Sequence, residues 1–437
     1  MSVATVTVLF FGVLVIFLML GLPIAFSLGG VAMLFSLFMW GPASLYQVAS
    51  AVWGTGNDWL FVCIPLFIFM GTVLQFSGVA DDLYTMMHRW MGPVKGGLAM
   101  GTILISTIFA AMAGVSGGAC VTLGVIALPA MLNRGYHKNI ALGSIAAGAA
   151  LGILIPPSLM MILYGAITGV SVGKLFAGGI LPGILLSILF LMYIGVRCAI
   201  NPRIGPTLSP EERSSWKMKL ISLKAVLLPL LIILAVLGSI YTGAATPTEA
   251  AGVGALGALI SSVIYRRLSW DRLREASLSA LKLSALIMWI VIGATCYRSV
   301  YSAIGGPEFV QQALMALPVG RYAILIGIQI IIFFLGMFVD PAGIVMIATP
   351  IFMPVIQELG FDPLWFGILF CMNLEMAYLT PPLGLNLFYL KGVAPPEIGL
   401  SDIYRSIVPF VVLQAIGLAL IIVFPQIALW LPSLMGR

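Results

Sequence analysis

Apolar and polar positions follow one another in long blocks, which is the pattern of a protein that crosses a membrane many times. A spanning helix needs about 20 apolar residues. Stretches of this kind lie at roughly residues 5–26, 28–45, 59–79, 140–168, 175–197, 222–242, 246–265, 283–304, 364–391 and 403–431. Two further apolar regions, 98–133 and 322–357, are each interrupted near their centre. Both are predicted to be re-entrant hairpins, which enter and leave the membrane on the same side.

Two of the predicted spans are broken as well, each at a pair of prolines. Pro156 and Pro157 interrupt the span 140–168, while Pro381 and Pro382 interrupt 364–391. Proline removes a backbone donor and ends a helix. Irregular backbone inside a membrane is tolerated only where protein, water or an ion satisfies its polar groups. One pair alone would favour a simple kink, but a hairpin followed by a broken span occurs in both halves. That plan is typical of transporters whose site lies near the midplane.

The basic residues predict which loops face the cytoplasm. Of the 21 Lys and Arg residues, 17 lie in five loops, namely 80–97, 133–139, 197–224, 266–282 and 391–405. By the positive-inside rule these loops are cytoplasmic. Such loops flank the first hairpin on both sides, so it enters from the cytoplasm. The second hairpin is flanked mainly by acidic residues and enters from the opposite side. The halves are therefore predicted to form an inverted repeat, with both termini outside the cytoplasm.

Composition agrees with this interpretation. The 437 residues are 61% hydrophobic and only 8% charged, whereas a soluble protein carries about 25% charged residues. An all-α polytopic membrane protein is predicted, and the run Val6–Phe26 is taken as its first span rather than a cleaved signal. The net charge of +6 follows the topology and gives no reason to expect nucleic-acid binding. The five cysteines have neither metal spacing nor a disulfide pattern.

Two cytoplasmic segments mix charged and apolar residues at helical spacing. They are Asp81–Trp90 and Leu268–Lys282, and both are predicted to be amphipathic helices at the inner membrane interface, at matching places in the two repeats. The largest cytoplasmic loop, Arg197–Lys224, is predicted to join the repeats.

The helix breaks carry the candidate chemistry. Free carbonyls with Ser or Thr hydroxyls suit Na⁺, and half-helix N-termini suit an anionic group. Asp340 follows the second hairpin's first arm, where it either attracts Na⁺ or caps the next helix. Glu375 is an intramembrane carboxylate, which is functional by default, although an inner cavity or an ion pair also explains it. Arg298 is a candidate contact for a solute carboxylate, or it extends outward to the interface. Glu249 is interpreted as a helix cap.

Enzyme signatures lack the context that they need. Ser116 stands in a Gly-x-Ser-Gly string, but a serine nucleophile needs a base, and both histidines lie in cytoplasmic loops. Residues 252–257 fit Gly-x-Gly-x-x-Gly inside an apolar span, without the strand that dinucleotide binding requires. A membrane-embedded enzyme is therefore disfavoured. An aqueous channel is disfavoured too, because hairpins from opposite sides suit alternating access.

Several short strings resemble the large membrane subunit of tripartite ATP-independent periplasmic (TRAP) transporters. These strings are Gly21–Phe26, Ile64–Phe67, Phe109–Ala111, Gly135–Tyr136, Leu151–Ser158, Thr246–Ala251 and Leu379–Gly384. They run over nearly the whole chain. The resemblance implies Na⁺-coupled uptake of a small organic acid across the inner (cytoplasmic) membrane. It also implies two protein partners, a periplasmic substrate-binding protein and a small four-helix membrane subunit on a separate chain.

An elevator architecture is implied as well, in which a transport domain moves against a scaffold. Scaffold helices and an inner arm helix are then expected at 1–97 and again at 222–304. Transport elements are expected at 98–197 (first hairpin, broken helix and following span) and at 305–392 (second hairpin and broken helix). A cytoplasmic connector at 198–221 and a final span at 393–437 complete the chain.

The resemblance also places two sodium sites at the breaks. For the first site the candidates are Gly114, Ser116, Gly152, Ile155 and Ser158; for the second they are Gly336, Ala377, Thr380 and Leu383. Asp340 joins the second group because its carboxylate could attract Na⁺. Ala377 stands where many members have glycine, and Ala113-Gly114-Val115-Ser116 stands where many have Ser-Gly-Ser-Ser. Two hydroxyls are thus missing, so unequal sites are expected. The main alternative is a sodium–carboxylate symporter that works without a binding protein.

Overall fold

Helices account for the regular structure of residues 1–114 and 116–435, the part of the chain that a computed structural model describes. The first half contains α1 (Val3–Met19), α2 (Ile24–Trp40), α3 (Leu45–Gly56), α4 (Cys63–Phe76), α5 (Val79–Met91), α6 (Gly97–Ala113), α7 (Ser116–Leu132), α8 (Lys138–Ala150), α9 (Leu159–Thr168) and α10 (Val172–Ile200). The second half contains α11 (Trp216–Ser222), α12 (Lys224–Tyr241), α13 (Pro247–Ile264), α14 (Trp270–Ala303), α15 (Gly306–Met315), α16 (Arg321–Gly336), α17 (Pro341–Glu358), α18 (Pro363–Ala377), α19 (Leu385–Val393), α20 (Leu400–Val423) and α21 (Gln426–Leu434).

Seven helical segments in the described part of the chain are long and apolar enough to cross a membrane. They are Trp59–Phe76, Val172–Ile200, Trp216–Tyr241, Pro247–Ile264, Trp270–Ala303, Pro341–Glu358 and Leu400–Val423. Several shorter apolar helices, among them α1, α2, α8 and α18, accompany them. The chain is therefore a multi-pass, all-α membrane protein, as its composition predicts.

Both regions predicted as hairpins consist of two consecutive helices that pack against each other. The first is α6 and α7, with Gly114 ending α6 in the left-handed region (φ +61°). The second is α16 and α17, joined by residues 337–340. Val115, a predicted member of the first hairpin tip, lies outside the described residues, as do residues 436 and 437 of the predicted final segment.

The two broken spans are also present, and their first halves, α8 and α18, lie in the interior of the protein. α8 and α9 are separated by a 3₁₀ turn at Leu151–Ile153 and the first proline pair, and α18 and α19 by the second pair. Both Pro–Pro peptide bonds are cis. Every residue of α18 from Leu364 to Ala377 is buried, and so is α8 from Ile140 onward. Residues 151–158 at the first break are all buried, whereas at the second break Pro381 and Leu383 are half-buried and Pro382 is exposed. Protein therefore surrounds the irregular backbone of the first break, as the bilayer environment requires.

One predicted amphipathic helix exists as a separate element and the other does not. α5 corresponds to Asp81–Trp90, with a strongly polar and an apolar face. Leu268–Lys282 is helical from Trp270 as predicted, but it is not a separate element, because it continues without a break into the span 283–304 as the 34-residue helix α14. No proline, glycine or cap separates the charged and apolar parts, so nothing ends the helix there. The short helix that precedes the second hairpin is instead α15, which the sequence analysis does not predict.

Other boundaries differ for local reasons. α1 ends at Met19 because Gly21 (φ +78°) and Pro23 follow it. The final predicted span is two helices, α20 and α21, that meet at Phe424 and Pro425. α3 was not expected, since its sequence is only weakly apolar.

Several helices pack around the breaks, and α6 of the first hairpin packs against α4 and α5. α14 packs against α2, α3 and α4, and α13 packs against α4. α8 packs against both arms of the first hairpin and against α20. α14 also contacts α17 of the second hairpin, so one long helix faces the hairpins from the side of α2 and α4.

Candidate functional site

The tip of the first hairpin lies directly against the first proline pair. A Cβ atom built on Gly114 would be 2.5 Å from the carbonyl oxygen of Pro157. Only glycine allows so close an approach, and it also accommodates the positive φ of this residue. The structure therefore brings together Gly114 and the backbone at the break, two of the predicted partners.

The residues of the first break differ in whether they can offer an ion only their backbone or also a side chain. The Ser158 Oγ is buried and donates to the carbonyl oxygen of Ile153. The side chain of Ile155 packs against Gly183 of α10, where an added Cβ would be 2.5 Å from Ile155 Cγ1. Gly152 is buried in the 3₁₀ turn. Only backbone atoms of Ile155 and Gly152 are thus candidate ion ligands, whereas Ser158 also offers the lone pairs of its hydroxyl.

Ser116 begins the second arm of the first hairpin, and its hydroxyl points elsewhere. Its Oγ donates to the side-chain oxygen of Asn386 over 2.8 Å. Asn386 lies in the first turn of α19, just after the second proline pair. The structure therefore connects this predicted member of the first site to the second break. Asn386 is a polar contact that was not predicted from the sequence.

The second hairpin meets the second break in the same way. A Cβ on Gly336 would be 2.3 Å from the Cβ of Ala377. The Leu383 N–H donates to the carbonyl oxygen of Met337 over 3.0 Å. Thr380 Oγ1 donates to the carbonyl oxygen of Met376, one helical turn earlier, over 2.8 Å. Four of the five predicted members of the second site are therefore grouped around one contact between hairpin and break.

Asp340, the fifth member, is the N-cap of α17. Its Oδ1 accepts a hydrogen bond of 2.9 Å from the Ala342 N–H, which is the capping arrangement foreseen for Asp before Pro-Ala-Gly. The residue also lines a cavity with Ser116. Capping is thus part of the structure, and attraction of Na⁺ by the same carboxylate stays a prediction.

The cavity that Asp340 lines lies between the two hairpins and has a volume of about 300 Å³. Ser116 and Gly117 border it from one hairpin, and Asp340 and Pro341 border it from the other. Its remaining wall carries Gln75, Tyr378 and Tyr389, together with Leu286, Ile287 and Ile290 of α14. A few polar groups in a mostly apolar wall are typical of a small-molecule site.

A second, larger cavity of about 920 Å³ contains Arg298. Gln47, Asp58, Thr295 and Ser299 also line it, and Arg298 makes no ion pair with any described residue. Arg298 lies 11 residues beyond Ile287 on α14, which is about 17 Å along a helix. The structure therefore does not bring Arg298 and the hairpin tips together, although the tips face the helix that carries Arg298.

The other two intramembrane candidates have structural partners. Glu375 is buried and accepts a hydrogen bond of 3.0 Å from Gln414 Nε2 on α20, and it is not in an ion pair with a described residue. Glu249 forms a capping box with Thr246 at the start of α13. The interpretation of Glu249 as a cap is therefore confirmed.

Comparison with known proteins assigns the chain to a family. A family model described as the DctM component of the tripartite ATP-independent periplasmic transporter matches residues 11–427. The chain belongs to the DctM family. This confirms the resemblance seen in the sequence, and it makes the chain a component of a transporter rather than an enzyme.

Relatives in the DctM family cover almost the full length. The C4-dicarboxylate TRAP transporter large permease protein DctM of Pseudomonas aeruginosa is 32% identical over 402 residues, which is 92% of each chain. The protein of the same name from Vibrio cholerae is 32% identical over 457 residues, covering 100% of this chain and 98% of the relative. Among solved structures, the YdaH transporter of Alcanivorax borkumensis is similar in fold, with a TM-score of 0.65 at 16% identity over 97% of this chain and 99% of that one.

Proposed function

We propose that this DctM-family protein takes up a small organic acid across the cytoplasmic membrane and uses Na⁺ as the coupling ion. The observation that carries the proposal is that both hairpin tips border one cavity of about 300 Å³, each packed against its own proline-pair break. Relatives named for C4-dicarboxylates support a carboxylate as the solute.

Sodium is the ion that the available ligands suit. Ser158 and Thr380 each donate their hydroxyl hydrogen to a backbone carbonyl, so their oxygen lone pairs remain free for a hard cation. Carbonyl groups at the breaks supply further ligands of the same kind. Each net positive charge moved inward contributes about 2.3 kcal/mol per 100 mV of membrane potential, which drives uptake without ATP.

Alternating access is proposed to arise from movement of the hairpins and broken helices against α14. This helix begins in the loop 266–282, which the positive-inside rule places in the cytoplasm. The cavity between the hairpins faces the middle of α14 near Ile287, and the cavity with Arg298 lies about 17 Å farther out by helical rise. A rigid shift of that size would carry the solute from the outer cavity to the inner one. The inverted repeat, with periplasmic N- and C-termini, is part of the proposal.

Two partners complete the proposed system. The family description, a tripartite periplasmic transporter of which DctM is one component, supports two partners. We take them to be a periplasmic binding protein that delivers the solute and a small four-helix membrane subunit. The alternative is a symporter that needs neither.

Reconstitution tests the function directly. In proteoliposomes that hold this chain, the small subunit and the binding protein, a C4-dicarboxylate is expected to accumulate when Na⁺ is outside. Replacing Na⁺ by K⁺ at equal membrane potential is expected to reduce uptake to the background of empty vesicles. Undiminished uptake in K⁺ contradicts sodium coupling, and full uptake without the binding protein favours the stand-alone symporter.

Removing the two hydroxyls at the breaks is expected to weaken sodium binding. Ser158→Ala and Thr380→Ala should each raise the Na⁺ concentration for half-maximal uptake by about tenfold, the effect of losing about 1.4 kcal/mol of binding free energy. Ser144→Ala and Thr242→Ala are controls, because their hydroxyls also donate to backbone carbonyls but neither residue lies at a proline-pair break. If the control variants raise the half-maximal Na⁺ concentration as much as Ser158→Ala and Thr380→Ala do, the two hydroxyls are not Na⁺ ligands.

A further inference from the structure

Asn386 is a buried amide that joins three segments distant in sequence. Its Oδ1 accepts the hydrogen bond from Ser116 of the first hairpin, and its Nδ2 donates to the carbonyl oxygen of Ala146 on α8 over 3.2 Å. Its own backbone carbonyl oxygen accepts from the thiol of Cys120 at 3.3 Å. All four residues are buried. Hairpin, first broken helix and second broken helix are thus connected through one side chain.

The segment that carries Asn386 also contacts the other hairpin. Three residues earlier, the Leu383 N–H donates to the carbonyl oxygen of Met337. The short stretch 383–386 therefore makes hydrogen bonds to both hairpins, one at each end. Leu383 belongs to the predicted second sodium site and Ser116 to the first, whereas Asn386 belongs to neither.

We propose that Asn386 is a positioning residue that couples the two ion clusters. An ion at the second break orders the backbone around Leu383 and so fixes the start of α19. Asn386 then holds Ser116 and Ala146, which sets the first hairpin against the first broken helix. Occupancy of one cluster raises the affinity of the other, because both share this element. The inference rests on the proposed sodium coupling.

Coupling predicts a cooperative dependence of uptake on Na⁺ that Asn386 maintains. In the reconstituted three-component system, Asn386→Ala should lower the Hill coefficient towards one. It should also raise the half-maximal Na⁺ concentration about tenfold, within the range typical of coupled sites. Ser116→Ala, which removes the same hydrogen bond from the other side, should have the same effect on the Hill coefficient, and Ser116→Thr, which keeps the donor, should restore it. If Asn386→Ala does not fold, the comparison of Ser116→Ala with Ser116→Thr tests the proposal.

Asn373→Ala supplies the matched control. Asn373 is also a buried amide on the second broken helix, but it bonds to Gln329 of the second hairpin, over 2.6 Å to the backbone oxygen and 2.7 Å to the side chain. Its loss should lower thermal stability and leave the Hill coefficient unchanged. Wild-type uptake that is independent of Na⁺ overturns the proposed function. If wild-type uptake depends on Na⁺ but is not cooperative, only the coupling is overturned. The same holds if the Hill coefficient is unchanged in both Asn386→Ala and Ser116→Ala.

Discussion

Gly114→Ala is expected to reduce uptake by far more than tenfold while the protein still reaches the membrane. Two costs combine at this position. A residue with a Cβ atom in the left-handed region costs about 1–2 kcal/mol, and the added methyl would be 2.5 Å from the Pro157 carbonyl oxygen, where overpacking costs about 1–3 kcal/mol. Every 1.4 kcal/mol lowers the population of the closed tip about tenfold. Initial rates in proteoliposomes at saturating Na⁺ measure the effect.

Gly169→Ala separates the two costs. Gly169 has a similar positive φ (+71°) at the end of α9, but an added Cβ would meet nothing within 4 Å. Its substitution therefore carries the backbone cost of about 1–2 kcal/mol alone, so uptake should fall by at most about thirtyfold and by less than in Gly114→Ala. Equal losses for Gly114→Ala and Gly169→Ala would mean that contact between the first tip and Pro157 is unimportant for transport.

Local sequence signals were sufficient for most of the fold. Proline pairs and glycine interruptions inside apolar stretches predict the hairpins and breaks, since each acts on the backbone where it stands. The error at α14 has the opposite cause. Leu268–Lys282 has the composition of an interfacial helix, but helix ends depend on stop signals, and none occurs before Leu283. The composition of that segment indicates its environment, but it does not indicate where the helix ends.

The candidate site was predictable only where its contacts involve backbone at a break. Gly114 is recognised because it belongs to a chain interruption, whereas Gly336 and Ala377 are predicted only through the resemblance to the family. Asn386 carries neither signal, and its partners Ser116 and Ala146 lie 270 and 240 residues away in sequence. A polar residue near a proline pair is a weak signal, because a residue that faces solvent would give the same pattern. Only the folded arrangement assigns it a role.

Gly336→Ala is expected to disrupt the second cluster in a way that a second substitution reverses. The new methyl would be 2.3 Å from the Ala377 Cβ, so hairpin and broken helix must separate, at a cost of about 1–3 kcal/mol. The half-maximal Na⁺ concentration should rise about tenfold for each 1.4 kcal/mol. Gly327→Ala on the same helix is the matched control, because nothing lies within 4 Å of its added Cβ.

Rescue by Ala377→Gly distinguishes a local clash from general destabilisation. In the double variant the two residues exchange their side chains, so one methyl again lies between α16 and α18. The sodium dependence should then return to near the wild-type curve, although glycine in a helix costs about 1 kcal/mol of stability. A double variant that remains as impaired as Gly336→Ala would show that Gly336 acts through its backbone freedom and not through its contact with Ala377. Uptake should be titrated against Na⁺ in the wild type, in both single variants and in the double variant. This comparison decides between the two explanations, because only the clash depends on the residues at both positions.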